Sequence, residues 1–173
     1  ADKRNSNETP INIYRLVADF GKAFDPVTTV VSHEPGATRD VLVPQYRSVN
    51  PRGYLGWGHS TQLGFSLGCS MGAKLACPEK LVVNFMGDCG IGMVGTDLET
   101  AVRLGIPILT VVSNNGTMGN YERLIPRAME LYGAAEIGGR YADMARALGV
   151  HAERIDAPAE IIPALQRAAR ATQ

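Results

Sequence analysis

The chain has 173 residues, one domain's worth and enough for a sizeable core. Apolar residues make up 45% and aromatics only 6%, with 19 glycines, a mix that suits an α/β protein with tight strand-to-helix turns better than an all-β sandwich. Acidic and basic residues balance at 17 each, so nucleic-acid binding driven by phosphate neutralisation is not expected. No apolar run is long enough to span a membrane and no leader-like segment opens the sequence, so a cytoplasmic protein is expected. Cys69, Cys77 and Cys89 lack paired-ligand spacing and read as reduced thiols.

Residues 1–10, ADKRNSNETP, are polar and read as a linker or a cut boundary, leaving 11–173 as the domain. INIYRLVADFGKAF is apolar at helical spacing. VTTVVSH (Val27 to His33) is β-branched and predicts a buried strand, and ATRDVLVPQY predicts a short helix. TQLGFSLGCSMGAKLA predicts a helix whose Gly64, Gly68 and Gly72 share one face for close packing. KLVVNFMGD, TDLETAVRLG and PILTVVSNN predict strand, helix and strand. YADMARALG and AEIIPALQRAARAT predict two further helices around a weak strand, HAERI. The alternation predicts a three-layer α/β domain, with a mostly parallel central sheet and helices on both faces. Ligands of such sheets sit beyond the carboxyl ends of the strands, which singles out Glu34 to Thr38, Gly87 to Gly95 and Asn114 to Gly119.

One of these segments, NFMGDCGIGMVG, contains G-x-G-x-x-G at Gly90, Gly92 and Gly95. A dinucleotide fingerprint needs its glycines in the turn that opens a helix. Here Thr96 and Glu99 are spaced as a capping box, which would start the helix after Gly95. An acidic residue should also end the next strand to hold a ribose, and TVVSNN ends in asparagines. We therefore reject the dinucleotide reading.

Asp88 and Asn115 each stand just past a predicted strand, joined by one helical crossover. A carboxylate, an amide carbonyl and a nearby main-chain carbonyl are hard oxygen ligands of the kind Mg²⁺ takes while leaving other positions to phosphate and water. The glycine-rich backbone at Gly87, Cys89, Gly90 and Gly116 can turn N–H groups toward a phosphate. Either feature alone is more simply a turn; their joint placement favours a Mg²⁺-bridged diphosphate site.

These residues carry a resemblance. GDC (Gly87 to Cys89), 24 intervening residues and then NN (Asn114, Asn115) resembles the thiamine-diphosphate motif, G-D-G followed at that spacing by N-N. STQLGFSLGCSMGAKLA and HEPGATRD resemble flanking segments of acetolactate-synthase-type enzymes. The resemblance is to the C-terminal, diphosphate-binding domain of large 2-oxoacid-processing enzymes. It implies Asp88, Asn115 and the main-chain carbonyl of Thr117 as Mg²⁺ ligands, and backbone groups of Gly87, Cys89, Gly90, Met118 and Thr38 toward the diphosphate. It implies Leu63 as the apolar prop that bends thiamine diphosphate and the carbonyl of Thr61 as acceptor for its amino group. The implied chemistry is attack on a 2-oxoacid carbonyl, loss of CO₂, and protonation or transfer of what remains.

Two departures stand beside it. Cys89 occupies a motif glycine, either as a small buried filler or as a redox thiol. The family's final strand has no counterpart after AARATQ. The resemblance also implies an activating glutamate on a separate pyrimidine-binding domain, usually across a dimer interface. Glu34, Glu79, Glu99 and Glu122 read instead as turn, surface or capping residues, so no catalytic acid or base is assigned and the chain is expected to be half a site within a homo-oligomer. A free-standing subunit of a two-chain decarboxylase and a non-catalytic domain remain alternatives. His33 and His59 either shuttle protons or bond loop carbonyls; His151 reads as structural, Tyr54 and Trp57 as packing, and GNYERLIP as a segment over the substrate.

Overall fold

The computed structural model describes residues 2–56, 62–119 and 121–172. Four strands, β1 (Thr29–His33), β2 (Tyr54–Leu55), β3 (Leu81–Gly87) and β4 (Leu109–Ser113), form one sheet in the order β2-β1-β3-β4. All neighbouring pairs are parallel, with Ser32 beside Asn84 and Gly87 beside Ser113. Parallel strands need crossovers, and helices supply them on both faces. The predicted three-layer architecture is the observed one.

One face packs α1 (Ile13–Ala23), α2 (Ala37–Gln45) and α9 (Ile161–Ala171) on the sheet through Val17, Phe20, Leu42 and Ile161 against Val31, Val83 and Phe85. On the other face lie α3 (Phe65–Ala76), α4 (Asp88–Val94), α5 (Asp97–Arg103) and α8 (Tyr141–Ala147), around Leu67, Met86, Ile91, Leu98 and Ala145. Two short helices, α6 (Tyr121–Leu124) and α7 (Pro126–Tyr132), follow β4 with no buried residues. Between α3 and the sheet the contact is polar: Ser32 Oγ lies 2.6 Å from Ser70 Oγ and donates to the carbonyl of Ser66. Arg15 on α1 donates to the carbonyl of Ser6 and to Asn7 Oδ1.

Four local expectations are corrected. First, a helix starts at Asp88, directly after β3, so Gly90 and Gly92 lie inside α4. Second, the capping box at Thr96 does not form. Gly95 and Thr96 keep helical dihedrals between α4 and α5, and the amides of Leu98 and Glu99 already donate to the carbonyls of Gly95 and Thr96. With those donors satisfied no cap is needed, and Glu99 pairs with Arg103 instead. The other end of α5 closes as a Schellman motif, with Gly105 at φ +60° and the Ile106 amide bonded to the Ala101 carbonyl. Third, Gly64 is the left-handed N-cap of α3 rather than part of its face, and Gly68 and Gly72 are exposed with nothing within 4 Å of an added Cβ. Fourth, HAERI forms no strand: residues 150–156 face β4 across a cleft of about 1020 Å³ instead of pairing with it.

Candidate cofactor site

Because Gly87 and Ser113 are register partners, β3 and β4 deliver Asp88 and Asn114–Asn115 to the same end of the sheet. Asp88 is 3% exposed, and its two oxygens are divided between two chain segments. Oδ1 accepts from the amide of Cys89 at 2.8 Å and Oδ2 from that of Gly116 at 2.7 Å. Gly116 can present this amide because it holds φ +72°, which costs glycine little. The end of the Asn115 side-chain amide stands 3.2 Å from Asp88 Oδ2 and 3.3 Å from the carbonyl oxygen of Thr117. With its NH₂ there, the amide donates to both; with its oxygen there, three oxygens face one point.

The loop carrying these groups is fixed from behind. The amide of Met118 donates to Ala135 at 2.9 Å, that of Ile137 to Gly116 at 3.0 Å, and the Asn114 amide group to Gly139 at 3.4 Å. Thr117 is bridged antiparallel to Glu136. The N–H of Met118 is thus engaged by the Ala135 carbonyl, which leaves its own carbonyl as the backbone group free of that bond. Cys89 likewise spends its N–H on Asp88, whereas Gly90 stands in the first turn of α4, where amides have no intrahelical acceptor.

On the other side of α4 lies a residue the sequence reading set aside. Glu34 has no exposed surface, and its carboxylate accepts from the amides of Gly64 (2.8 Å) and Ser66 (2.9 Å) and from Ser66 Oγ (2.5 Å). It is a capping residue, but for α3, some thirty residues downstream. Gly90 packs against it: an added Cβ would lie 3.1 Å from Glu34 Oε2. Thr38, at the start of α2 as expected, turns its hydroxyl back to the Glu34 carbonyl. Leu63 is half-buried in the turn before α3, while Thr61, His59 and Trp57 lie outside the described residues.

His33 resolves toward the simpler of its two readings, with Nδ1 donating to the carbonyl of Glu34 at 3.0 Å and its ring tilted against Tyr54. Tyr54 is a packing residue, as expected, stacked on Tyr46. Burial, reinforced by the charges of Asp88 and Glu34, pushes the Cys89 thiol up, which suits a filler better than a redox thiol. Tyr141, which nothing in the sequence flagged, reaches the same neighbourhood. Burial and then Asp88 raise its hydroxyl, whose oxygen lies 3.9 Å from a Cβ placed on Gly92. His151 is exposed. Among the described residues no three His, Cys, Asp or Glu side chains cluster as a metal site, so the mixed oxygen set at Asp88 is the candidate.

Residues 36–173 match the model of the thiamine pyrophosphate enzyme C-terminal TPP-binding domain. The chain belongs to that family. It is 40% identical over 167 residues to a probable acetolactate synthase of Mycobacterium bovis, covering 92% of this chain and 29% of the relative. It is 28% identical over 159 residues to a sulfoacetaldehyde acetyltransferase of Alcaligenes xylosoxydans xylosoxydans, covering 89% and 26%. A 2-hydroxyacyl-CoA lyase of Arabidopsis thaliana is 32% identical over 112 residues, covering 65% and 20%. The chain therefore spans less than a third of the length of these relatives. Packing accounts for the glycine pattern: Gly90 makes room for Glu34, and at Gly95 an added Cβ would lie 2.5 Å from the Ile91 carbonyl of α4 and 2.6 Å from Met144 Cε of α8. Neither glycine is reserved for a dinucleotide.

Proposed function

We propose that this domain holds the diphosphate end of thiamine diphosphate through Mg²⁺, as part of an acetolactate-synthase-like enzyme that decarboxylates or ligates a 2-oxoacid. The observation that carries the reading is the convergence of Asp88 Oδ2, the Asn115 amide and the Thr117 carbonyl. Neighbouring ligands of an octahedral Mg²⁺ at 2.0–2.1 Å stand about 2.9 Å apart. The observed separations of 3.2 and 3.3 Å need to close by only a few tenths of an ångström, with the amide oxygen turned inward. One carboxylate and two neutral oxygens leave room for phosphate oxygens and water, as Mg²⁺ prefers.

When bound, thiamine diphosphate supplies a carbon nucleophile for the 2-oxoacid carbonyl and an electron sink for decarboxylation. The chain's own residues bind and orient. Asp88, Asn115 and Thr117 hold the metal, and Gly87, Cys89, Gly90 and Thr38 form the backbone around the diphosphate. Leu63 and Thr61 support the thiamine portion, and residues 119–126 cover the substrate. No side chain of this domain is assigned as acid or base, so the activating carboxylate belongs to a pyrimidine-binding partner, in the same longer chain or across a homo-oligomer interface. The great length of the relatives supports a partner domain in the same chain over a free-standing subunit. Among the described residues β4 has no outer neighbour, and the cleft beside it has room for one further strand. Three free thiols suit a reducing compartment such as the cytoplasm.

Asp88→Ala tests the assignment. In the intact protein, Mg²⁺-dependent binding of thiamine diphosphate, measured by calorimetry, is expected to weaken about a hundredfold or more, as losing a charged ligand should. Retained affinity in that variant would show the metal assignment to be wrong.

A further inference from the structure

Glu34 is the most deeply buried carboxylate near the site, and the proposed function gives it no task. A buried carboxylate is tolerated only where hydrogen bonds replace its hydration. Here both oxygens accept from groups that can only donate there, the amides of Gly64 and Ser66, and Ser66 Oγ adds a third bond. Those amides open α3, a 12-residue helix whose positive end favours an anion. The rest of the residue is equally engaged. Its amide donates to the Phe85 carbonyl on β3, and its carbonyl accepts from Thr38 Oγ1 and His33 Nδ1. Its side chain also forms the wall against which Gly90 of α4 rests.

Glu34 thus touches the start of α2, the turn beside Leu63 and the first turn of α4. In the function proposed above, on which this inference rests, the first and last of these places belong to the backbone around the diphosphate and the second supports the thiamine portion. We propose that Glu34 is a positioning residue that fixes the turn at Leu63–Gly64 relative to α4, and so sets the distance between the thiamine support and the diphosphate anchor. A carboxylate is required for geometric reasons. Two backbone donors reach its two oxygens, so a glutamine of the same shape must point its NH₂ at one of them. The turn is then released on one side while the Asp88 cluster is left intact.

The test compares two ligands on the intact protein by calorimetry: Mg²⁺ with thiamine diphosphate, which needs both halves of the site, and Mg²⁺ with inorganic pyrophosphate, which needs only the diphosphate half. Glu34→Gln is expected to weaken thiamine diphosphate by about tenfold or more, since a donor is left unpaired in a buried place, while pyrophosphate stays within about twofold. Ser66→Ala removes only the hydroxyl bond and is expected to shift the same ratio by about threefold; it carries the comparison if the glutamine variant does not fold. Parallel weakening of both ligands would assign Glu34 a merely structural role, and an unchanged ratio in both variants would also overturn the proposal. A wild-type protein that binds neither ligand would overturn the cofactor reading itself, and this inference with it.

Discussion

At the scale of single residues, the glycines and the acids divide the work. Gly95 holds ordinary helical dihedrals, so its lack of a side chain is explained by space and not by backbone freedom. An added Cβ would stand 2.5 Å from the Ile91 carbonyl and 2.6 Å from Met144 Cε. Gly95→Ala is therefore expected to destabilise by about 1–3 kcal/mol, as overpacking does, despite alanine's better helix propensity. Urea unfolding checks this, and a neutral or stabilising result would remove the packing explanation. That Asp88 and Asn115 lie at one end of the sheet was legible in the sequence, because each stands at or just past the end of a strand and neighbouring parallel strands end together. Glu34 was not legible, because its donors lie 30 and 32 residues downstream and only the packing of α3 on β1 brings them to it.

At the scale of elements, local signals held where the chain supplied its own partner. Asn12 caps α1 through the amide of Tyr14, and α1 buries Val17 and Phe20 while Tyr14 stays exposed. The same helix buries Asp19, at 1% exposure, between Arg15 and Lys22. Burial alone would raise that carboxyl, but the bonds from Lys22 and Arg15 outweigh it and hold it below the usual carboxylate range. A depressed carboxyl stabilises the fold above its unfolded value near 4, and the contribution is lost as pH falls through the folded value. Asp19→Asn is thus expected to flatten the dependence of the urea midpoint on pH below about 4 while lowering the midpoint at neutral pH. An acid limb identical to wild type would exclude this pair as its source. Where a signal needed a distant partner, it failed. The weak strand expected at HAERI needs a neighbouring strand and meets a cleft, and Thr96 could have capped a helix start but sits inside a continuous helical stretch.

At the scale of the whole molecule, the candidate site lies at one end of a sheet whose two faces are covered but whose β4 edge, among the described residues, is open. The residues proposed to hold metal and diphosphate come from β3–α4 and the loop after β4, so ligand binding ties together segments that unfolding separates. A ligand that binds only the folded state stabilises it by mass action, by about 2.7 kcal/mol at a hundred times its dissociation constant. Mg²⁺ with thiamine diphosphate is accordingly expected to raise the melting temperature of the intact protein, and EDTA to reverse the shift. Stabilisation by thiamine diphosphate that survives EDTA would mean the cofactor is held without the metal. Among the described residues no helix is long and apolar enough to cross a membrane.

The sequence by itself determined the parallel α/β architecture and the thiamine-diphosphate family. It could do so because strand periodicity and the residues just past strand ends are properties of contiguous chain. Tertiary structure alone decided that α4 begins at Asp88, that the Ala135 carbonyl claims the Met118 amide, and that a glutamate after β1 caps a helix after the 62–64 turn. Each of these depends on which distant group reaches a donor first, and that competition is settled by packing rather than by local order.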